Sequence, residues 1–595
     1  MGQMTADFLL ERLYENGVRR IYGYPGDGIN AILGALERQK DKIDFVQVRH
    51  EEMAAFMACA HAKWTGEVGV CLATSGPGAI HLLNGLYDAK LDHQSVLAIV
   101  GQQSRSSLGG SYQQEVDLQV LFKDVAHEYC EMALEPTQIR HLVDRAHRIA
   151  LDQRSVTCVI VPNDLAGMDA VPDPPVEHGT IHSSPGWNAP RIVPKKNDLQ
   201  RAAELINAGE KVAVLVGQGA KHATDEVVQF AEKVGAGVAK ALLGRTVMDD
   251  SLPYVTGSIG LLGTKPSWTL MNECDTLVMI GSSFPYSEFL PEPGSARGLQ
   301  IDIDGRMLNI RYPMELGLVG DAKATLEELI PLVQHKPESK WRKQIEDEVA
   351  EWWRLIEDRA LQDADPINPQ RLFWELNKYL PDDAIISSDS GSSANWFARD
   401  LKLKPSHLAS LSGTLATMGP GVPYAIAAKF AHPNRPAIAL VGDGAMQMNG
   451  MAELITAAKY YERWADPRLV VLVLNNQDLN QVTWEQRAME GDPKNPMTQR
   501  IPDVRYADFA RLIGLEGVRI ESPDGIDAAW EEAFASDRPF VIDAVCDPEV
   551  PPLPPHITVE QAKHFMKAVR GGDPNSREMI TESFKQKILE FLPGR

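Results

Sequence analysis

Predicted strands alternate with amphipathic helical patterns along most of this sequence, and the alternation restricts the architectures that the chain can adopt. In the first part of the chain, candidate buried strands occupy 20–24, 45–48, 68–73, 96–100 and 156–161. Apolar positions recur at helical spacing in segments between them. Strands that are separated by helices pair in parallel, because a crossover helix returns the chain to the same end of the sheet. The pattern predicts an α/β fold in which parallel sheets are flanked by helices.

The chain has 595 residues, which is too long for one hydrophobic core, and changes in composition mark candidate domain boundaries. Prolines are frequent after the first α/β segment, and a charged helical pattern precedes the last one. A proline-rich run then begins a separate tail. The predicted organisation is a first domain at 1–165, a linker at 166–195, a central domain at 196–335, a helical linker at 336–365, a third domain at 366–550 and a tail at 551–595.

The charge balance argues against a nucleic-acid partner. Lys and Arg number 59 against 81 Asp and Glu, and the formal net charge is −22 at pH 7, whereas proteins that bind phosphate backbones present an excess of basic residues. The six cysteines are scattered without a CxxC pair, which is typical of reduced thiols inside the cell. No signal-peptide pattern or membrane-spanning apolar run is evident. These features predict a cytoplasmic protein.

The sequence Val-Gly-Asp-Gly-Ala at 441–445 is the strongest chemical signal in the chain. It follows a predicted strand, and Asn475-Asn476 follows the next predicted strand, at 470–474. Glycines allow the backbone to approach a diphosphate closely, and the N-terminus of the following helix favours its negative charge. The Asp443 carboxylate and the Asn476 amide oxygen suit Mg²⁺, which also takes phosphate oxygens. Together the two segments predict a magnesium–diphosphate site.

These segments resemble the diphosphate–magnesium motif of thiamine diphosphate enzymes, and the resemblance extends over nearly the whole chain. It is closest to the group of pyruvate oxidase and acetolactate synthase. The family's runs occur in the same order in the first domain, as Arg-His-Glu-Glu at 49–52, Ala-Thr-Ser-Gly-Pro-Gly at 73–78 and Asn-Gly-Leu-Tyr-Asp-Ala at 84–89. The resemblance implies a first domain that binds the thiamine pyrimidine, a central FAD-binding-like domain and a third domain that binds diphosphate and Mg²⁺.

By this resemblance Glu51 is the catalytic carboxylate, and the chemistry supports that role. The C2–H of thiamine is a very weak acid, which no side chain with a pKa near 7 could deprotonate effectively alone. A carboxyl group that binds N1′ of the aminopyrimidine favours a tautomer whose own 4′-nitrogen accepts the proton. Glu51 begins an apolar helical pattern that includes Met53, Phe56 and Met57, so its carboxyl group is expected to be sheltered. Glu52 fits a solvated position better.

The resemblance also implies the remaining contacts of thiamine diphosphate. Met418 matches the apolar residue that the family places between the two rings of the bent cofactor, and the Ala416 carbonyl would accept from the 4′-amine. The backbone carbonyl of Asp478 would bind Mg²⁺ beside Asp443 and Asn476. The full set predicted for thiamine diphosphate is Gly26, Gly391, Ser392, Ala416, Thr417, Met418, Gly442, Asp443, Gly444, Ala445 and Asn476.

Three further residues are predicted to act at the reacting centre. The family uses the positions that match His93 and Gln114 to face the substrate. Glu485 matches a glutamate of pyruvate oxidases, where acetolactate synthases have a tryptophan. With Glu51, these residues form the predicted catalytic set.

The sequence departs from the family pattern at several positions near this set. Gln113 stands where the family usually has a phenylalanine, Asn480 where it has a glycine, and Gln481 where the oxidases have an aromatic residue. The connection between Asp443 and Asn476 is a few residues longer than usual. The substrate pocket and the space between thiamine and flavin are therefore expected to differ from those of the oxidases.

The central domain decides the subclass. In the flavin-dependent members, segments equivalent to 260–263, 281–285 and 300–304 hold FAD as a glycine turn, a strand-end loop and an acidic residue after a strand. A carboxylate in that last position accepts hydrogen bonds from a ribose or an adenine. Because several members lack flavin and keep the fold, a purely structural role stays open. The predicted FAD contacts are Gly260, Leu261, Leu262, Gly263, Gly281, Ser282, Ser283, Phe284, Pro285 and Asp302.

The resemblance implies oxidative decarboxylation of pyruvate, or of a related 2-oxo acid, with electrons passed to FAD and then to oxygen or a quinone. The alternative is a carboligase of the acetolactate synthase type or a non-oxidative decarboxylase, in which flavin is structural or absent. A non-catalytic nucleotide-binding protein is disfavoured, because Glu51, Asp443 and Asn476 are all present. The expected assembly is a homo-oligomer, either a tetramer or a dimer.

The tail contains an amphipathic helical pattern at 576–592. In place and size it resembles the lipid-binding tail of bacterial quinone-reducing pyruvate oxidases, which implies a peripheral contact with the inner face of the membrane. Its mixed charge favours the other interpretation, that the helix docks on its own subunit.

Overall fold

A computed structural model of the protein describes residues 2–336, 338–552 and 559–585. It contains three six-stranded parallel sheets with helices around them, which confirms the predicted α/β class. Central strands such as Val96–Gln102 and Leu469–Asn475 are buried along their whole length. Helices on both faces of a parallel sheet cause this burial, which explains why the strands are nearly continuous apolar runs.

The first sheet has the strand order β2-β1-β3-β4-β6-β5. Its strands are β1 Arg20–Gly23, β2 Asp44–Gln47, β3 Gly69–Ala73, β4 Val96–Gln102, β5 Cys130–Met132 and β6 Val156–Pro162. The helices of this domain are α1 Thr5–Glu15, α2 Asn30–Arg38, α3 Glu51–Thr65, α4 Pro77–His81, α5 Leu83–Leu91, α6 Leu118–Phe122, α7 Ile139–Gln153 and α8 Asn163–Ala166. The direction of the winding reverses between β1 and β3, and open parallel sheets bind ligands beside the carboxyl ends of strands at such a point.

The second sheet has the order β12-β11-β10-β7-β8-β9, with its reversal between β7 and β10. Its strands are β7 Val212–Val216, β8 Gly237–Lys240, β9 Val255–Ser258, β10 Thr276–Ile280, β11 Arg297–Asp302 and β12 Leu316–Val319. The accompanying helices are α9 Lys196–Ala208, α10 Thr224–Val234, α11 Lys265–Glu273, α12 Ala322–Leu329 and the long connecting helix α13 Lys340–Ala360.

The third sheet has the order β14-β13-β15-β16-β18-β17, with its reversal between β13 and β15. Its strands are β13 Ile385–Ser388, β14 Leu408–Ser410, β15 Ala437–Gly442, β16 Leu469–Asn475, β17 Glu516–Ile520 and β18 Phe540–Val545. The helices are α14 Pro369–Tyr379, α15 Ser392–Arg399, α16 Gly421–Ala431, α17 Asp443–Ala445, α18 Met451–Tyr460, α19 Asn480–Glu485, α20 Pro496–Gln499, α21 Tyr506–Leu512 and α22 Ile526–Ala535. A π-helical segment, Met446–Gly450, connects α17 to α18.

The chain forms two compact units, whose boundaries do not follow the three sheets. The first unit comprises Met1–Ala189, Ser412–Ala437 and Met448–Leu469, and the second comprises Pro190–Leu411, Ile438–Gln447 and Val470–Arg595. Helices α16 and α18 are therefore part of the first unit, where α16 packs along α3. Most of the third sheet, including the strand ends that bear Asp443 and Asn476, is part of the second unit.

The described part of the tail docks on the second unit through a buried ion-pair network. Its helices are α23 Val559–Arg570 and α24 Ser576–Lys585. Arg487 is fully buried and donates to Asp573 through two nitrogens at 2.9 Å each, and to Glu549 at 2.8 Å. Phe565 of α23 stacks on Trp484 with ring centroids 6.3 Å apart. These contacts hold the segment that precedes the amphipathic pattern, and within the described part of the pattern Met579 is buried.

Two expectations about the membrane have different outcomes. Residues 586–592 of the amphipathic tail pattern lie outside the described residues, so lipid binding by the tail stays a prediction. Within 2–336, 338–552 and 559–585, every helix is too short or too polar to cross a bilayer.

Replacing Asp573 by alanine should destabilise the docked tail. The substitution leaves the buried Arg487 with one carboxylate fewer, and breaking a buried ion pair in this way costs about 3–5 kcal/mol. Urea denaturation combined with limited proteolysis of the tail measures the effect. The control is Glu315→Gln, which breaks an ion pair with Arg297 in which both side chains are about half exposed. It should change the free energy of unfolding by less than about 1 kcal/mol, and equal effects of the two variants would contradict the structural role of the network.

Candidate active site

The carboxyl edge of the third sheet has two open glycine positions at its reversal point. Gly391 follows β13 and precedes α15 with φ 99°, and Gly442 ends β15 and precedes α17. A Cβ atom added to either glycine would meet open space. Because β13 and β15 are neighbours, the two helix N-termini begin at the same edge of the sheet, where unpaired backbone N–H groups favour an anion. This arrangement fits a diphosphate, as predicted for Gly391, Ser392, Gly442, Gly444 and Ala445.

Asp443 has the environment expected of a metal ligand. The side chain is buried, and its two oxygens accept from the backbone N–H groups of Gly444 at 2.9 Å and of Gln477 at 2.5 Å. Burial raises the pKa of Asp443, and the backbone hydrogen bonds lower it. Burial has the larger effect, and the pKa is raised to about 7. Among the described residues no cationic side chain forms an ion pair with it. A divalent cation would compensate this buried charge.

The other two predicted metal ligands lie just after β16. The amide oxygen of Asn476, a half-buried residue, accepts from the backbone N–H of Asp478 at 3.1 Å. The Asp478 carboxylate pairs with Lys494 at 2.9 Å. Any contribution of Asp478 to the metal would therefore come from its backbone carbonyl, as predicted, because its side chain has another partner.

Glu51 is the first residue of α3 and is 7% exposed. His50 caps the helix by accepting from the backbone N–H of Glu52, and its ring lies 4.3 Å from the ring of His81. Nδ1 of His81 is 2.9 Å from Oε2 of Glu51. A Cβ on Gly78 would lie 3.0 Å from Oε1, so a glycine leaves that oxygen accessible. The sequence analysis did not identify His81, although it follows the predicted run at 73–78 by three residues.

The loops at the reversal point of the first sheet meet around Thr74. The Thr74 hydroxyl accepts from the backbone N–H of Gly28 at 3.1 Å. A Cβ atom added to Gly26 would lie only 2.5 Å from the Cβ of Thr74, so Gly26 packs closely against this residue. Gln114 has a left-handed φ of 60° and approaches Ser75, whose hydroxyl donates to the Gln114 side-chain oxygen at 3.4 Å. The structure thus brings the predicted residues Gly26 and Gln114 to the same loop.

The predicted thiamine loop around Met418 has a constrained backbone. Ala416 has a φ of 52°, in the left-handed region that a non-glycine residue occupies only at a cost in energy. Asn84 donates to the Thr417 hydroxyl at 3.0 Å. The amide of Asn449 lies against Gly419, where a Cβ would be 2.4 Å away, and both of its polar atoms are buried without a partner among the described residues. A buried amide without partners is unusual and fits a site for a polar ligand.

The predicted FAD residues lie along the carboxyl edge of the second sheet. The loops after β7 and β10 pack tightly against each other. A Cβ atom added to Gly281 would lie only 2.5 Å from the backbone of Gly219, so this contact requires a glycine. Gly260 has a φ of 109° and lies beside the ring of Phe284, whose backbone N–H donates to the buried Ser282. Asp302 ends β11 and is half-buried. The segments 260–263 and 281–285 are thus brought together, whereas Gly281 itself serves close backbone packing.

A hydrogen-bonded network connects this turn to Glu485. The buried Arg399 donates to the backbone carbonyls of 261–263 at 3.1–3.3 Å and to the Asn395 side chain at 3.4 Å. Asn395 donates to Gln481 at 2.7 Å, and Gln481 donates to Glu485 at 2.9 Å. We call Asn395, Gln481 and Glu485 the amide network. The sequence analysis identified Gln481 only as a departure, and nothing local indicated Asn395 as its partner.

The predicted residues are divided between the two compact units. The first unit contains Gly26, Glu51, His93, Gln114, Ala416, Thr417 and Met418. The second unit contains Gly260, Leu261, Leu262, Gly263, Gly281, Ser282, Ser283, Phe284, Pro285, Asp302, Gly391, Ser392, Gly442, Asp443, Gly444, Ala445, Asn476, Asp478 and Glu485.

Comparison with known proteins identifies the family to which the chain belongs. Three family descriptions match: the N-terminal TPP binding domain of thiamine pyrophosphate enzymes at 3–121, their central domain at 199–329 and their C-terminal TPP binding domain at 389–544. These matches contain Glu51, the predicted FAD segments and the Asp443–Asn476 pair, respectively.

Similar individual proteins align over most of the chain. The YdaP protein of Bacillus subtilis is 38% identical over 593 residues, which cover 100% of both chains. A pyruvate oxidase of Lactiplantibacillus plantarum is 29% identical, with 89% of this chain and 86% of its own covered. An acetolactate synthase of Arthrospira platensis is 30% identical, with 90% of this chain and 93% of its own covered. The chain is a thiamine diphosphate-dependent enzyme and belongs to the thiamine pyrophosphate enzyme family, in the group that includes pyruvate oxidase and acetolactate synthase.

Proposed function

We propose that this enzyme oxidatively decarboxylates pyruvate or a related 2-oxo acid, with FAD as the first electron acceptor and oxygen or a quinone as the second. The observation that favours this reaction over carboligation is Glu485. Pyruvate oxidases have a glutamate at the matching position, whereas acetolactate synthases have a tryptophan there. Glu485 is the last residue of α19, the helix that follows the predicted magnesium segment. The side-chain amide of Gln481 donates a hydrogen bond to its carboxylate. The hydrogen bond from Gln481 fixes the position of this carboxylate.

The residues of the first unit are arranged for proton handling. When bound, thiamine diphosphate supplies the nucleophilic carbon and the electron sink that decarboxylation of a 2-oxo acid requires. Glu51 would hold the pyrimidine N1′ by a hydrogen bond from its sheltered carboxyl group. His81, 2.9 Å from that carboxyl group, would orient it until the cofactor is in place. His93 and Gln114 would bind the substrate on the pocket wall.

The residues of the second unit would hold the charged end of the cofactor and the flavin. Asp443, Asn476 and the Asp478 carbonyl would bind Mg²⁺, and the N-termini of α15 and α17 would bind the diphosphate. The turn at 260–263, which Arg399 fixes by three carbonyl contacts, and Asp302 would bind FAD.

We further propose that the active form is a homo-oligomer, a dimer or a tetramer. The first unit exposes large apolar side chains at Ile80, Met448 and Ile455, each at least 40% exposed. Most soluble oligomers are homo-oligomers, and a subunit interface would cover apolar side chains of this kind.

Replacing Glu51 by glutamine should preserve the fold and the binding of thiamine diphosphate but reduce turnover. Loss of a positioned proton-transfer group costs roughly 10²–10⁴-fold in rate. Steady-state turnover and a cofactor titration measure the two effects separately. The matched control is Glu52→Gln, on the same helical turn, which should retain most of the activity. A Glu51→Gln enzyme with wild-type turnover would exclude the assigned role.

Replacing Asp443 by alanine should act on cofactor retention. The substitution removes an anionic ligand of Mg²⁺, so the protein should need much more Mg²⁺ and thiamine diphosphate for half-saturation. The control is Asp478→Asn, because the proposal assigns the metal to the backbone carbonyl of that residue. This variant should bind Mg²⁺ nearly as well as the wild type. Unchanged cofactor affinity in Asp443→Ala would show that the metal site lies elsewhere.

Pyruvate should bleach the flavin of the purified enzyme when oxygen is excluded. An oxidase transfers two electrons to FAD in each turnover, whereas a carboligase forms acetolactate without a net change in the flavin. The visible flavin spectrum after anaerobic mixing distinguishes the two reactions. The Glu51→Gln protein is the control and should bleach far more slowly. Acetolactate formation with an unchanged flavin spectrum would favour the carboligase alternative.

A further inference from the structure

Asp92 is a fully buried carboxylate at the C-terminal end of α5, where the helix dipole disfavours a negative charge. The hydrogen bonds that its side chain accepts include one from Lys63 and two from backbone N–H groups, all within the first unit. Lys63 donates through Nζ at 2.7 Å, and the backbone N–H groups of Gly413 and Thr414 donate at 2.8 Å each. A carboxylate persists in such a position only when its partners compensate for lost hydration. Two of these partners are backbone groups of the loop that leads to Met418.

Lys63 supplies the compensating charge. It lies on α3, its side chain is 4% exposed, and its ammonium group is 4.9 Å from the centre of the Tyr424 ring. Burial alone lowers the pKa of Lys63, but the nearby carboxylate of Asp92 and other acidic groups more than offset it, and the pKa is raised. The raised pKa favours the charged form of Lys63 beside the Asp92 carboxylate.

The loop that Asp92 binds is held in a conformation that it would not adopt freely. Beyond Thr414, Ala416 has the left-handed φ of 52°, and the backbone N–H of Thr417 donates to the hydroxyl of Ser412 at 3.1 Å. Left-handed backbone at a non-glycine residue costs about 1–2 kcal/mol and persists where the surroundings impose it. The bonds from Asp92 lie at the base of this loop and fix its starting point.

The residue after Asp92 is constrained in the same way. The end of α5 is a Schellman motif, in which the N–H of Gln94 donates to Ala89 at 2.8 Å and the N–H of His93 to Lys90 at 3.2 Å. His93 takes the left-handed position of this motif, with a φ of 55°, where glycine is the usual residue. Anchoring the Asp92 side chain therefore also fixes the backbone from which His93 projects.

We propose that Asp92, paired with Lys63, is a positioning residue that sets the thiamine loop at 412–418 and the backbone of His93 at the same time. The proposal rests on the proposed function, because it takes Ala416 and Met418 as the residues that hold the thiamine rings. A loop that is ordered before the cofactor arrives loses less conformational entropy on binding. Loss of the Asp92 anchor should therefore weaken thiamine diphosphate binding even though Asp92 does not touch the cofactor.

The test uses the full-length variant Lys63→Met/Asp92→Leu. Replacing a buried ion pair by apolar residues of similar size is usually tolerated, but it leaves the N–H groups of Gly413 and Thr414 without an acceptor. Thiamine diphosphate is titrated at saturating Mg²⁺ by tryptophan fluorescence, and hydrogen exchange of peptides that cover 412–420 is followed by mass spectrometry. We expect the dissociation constant to rise about tenfold and the exchange of this loop to accelerate. Lys63→Met/Asp92→Asn, which keeps a side-chain oxygen, should lie between this variant and the wild type.

The matched control removes another buried ion pair of the same unit. Arg12 on α1 binds Asp144 on α7 at 2.7 Å, and both side chains are at most 3% exposed. Arg12→Met/Asp144→Leu should leave cofactor affinity within about twofold of the wild type, whatever its effect on the melting temperature. A folded Lys63→Met/Asp92→Leu protein with wild-type affinity and wild-type exchange would overturn the proposal.

Two further outcomes are informative. If Lys63→Met/Asp92→Leu does not fold, the Lys63→Met/Asp92→Asn protein decides, because wild-type affinity and exchange in that variant would equally reject the anchor. If the wild type does not bind thiamine diphosphate, the proposed function fails. Hydrogen exchange without cofactor then still shows whether Asp92 orders the loop at 412–420.

Discussion

Parallel pairing of strands is the constraint on which the rest of this structure depends. All strands of a parallel sheet end at the same edge, and a change in the direction of winding leaves a crevice there between two neighbouring strands. Each of the three sheets has one such reversal, at β1/β3, β7/β10 and β13/β15. Residues that are far apart in the chain, such as Gly391 and Gly442, are neighbours because they follow adjacent strands. The candidate site is a consequence of this topology.

Buried polar networks then determine the shape of the loops at these edges. A buried charge is stable only when its hydrogen bonds are satisfied, so each network restricts the backbone that supplies its partners. Asp92 uses two backbone N–H groups of the 412–418 loop, and Arg399 uses three carbonyls of the 261–263 turn. In both places a charged side chain that is not itself a predicted cofactor contact fixes the backbone of a segment that contains predicted contacts.

The departures from the family pattern have structural explanations in the same terms. The amide of Asn480, where the family has a glycine, is buried and donates to the Pro548 carbonyl at 2.7 Å. Gln481, where the oxidases have an aromatic residue, bonds to Asn395 on one side and Glu485 on the other. Specific hydrogen bonds thus account for the polar side chains at both positions.

The sequence by itself determined the α/β class and the parallel sheets, and it predicted the magnesium–diphosphate segments and the role of Glu51. These are local signals: apolar periodicity identifies strands and helices, and glycine with Asp or Asn after a strand identifies the functional edge. Only the tertiary structure decided the partners of the site residues. His81 lies 30 residues from Glu51, Gln481 lies 86 from Asn395, and Gly413 lies 321 from Asp92. A hydrogen bond between such distant positions leaves no periodic or spacing signal, because chain topology alone brings its two groups together.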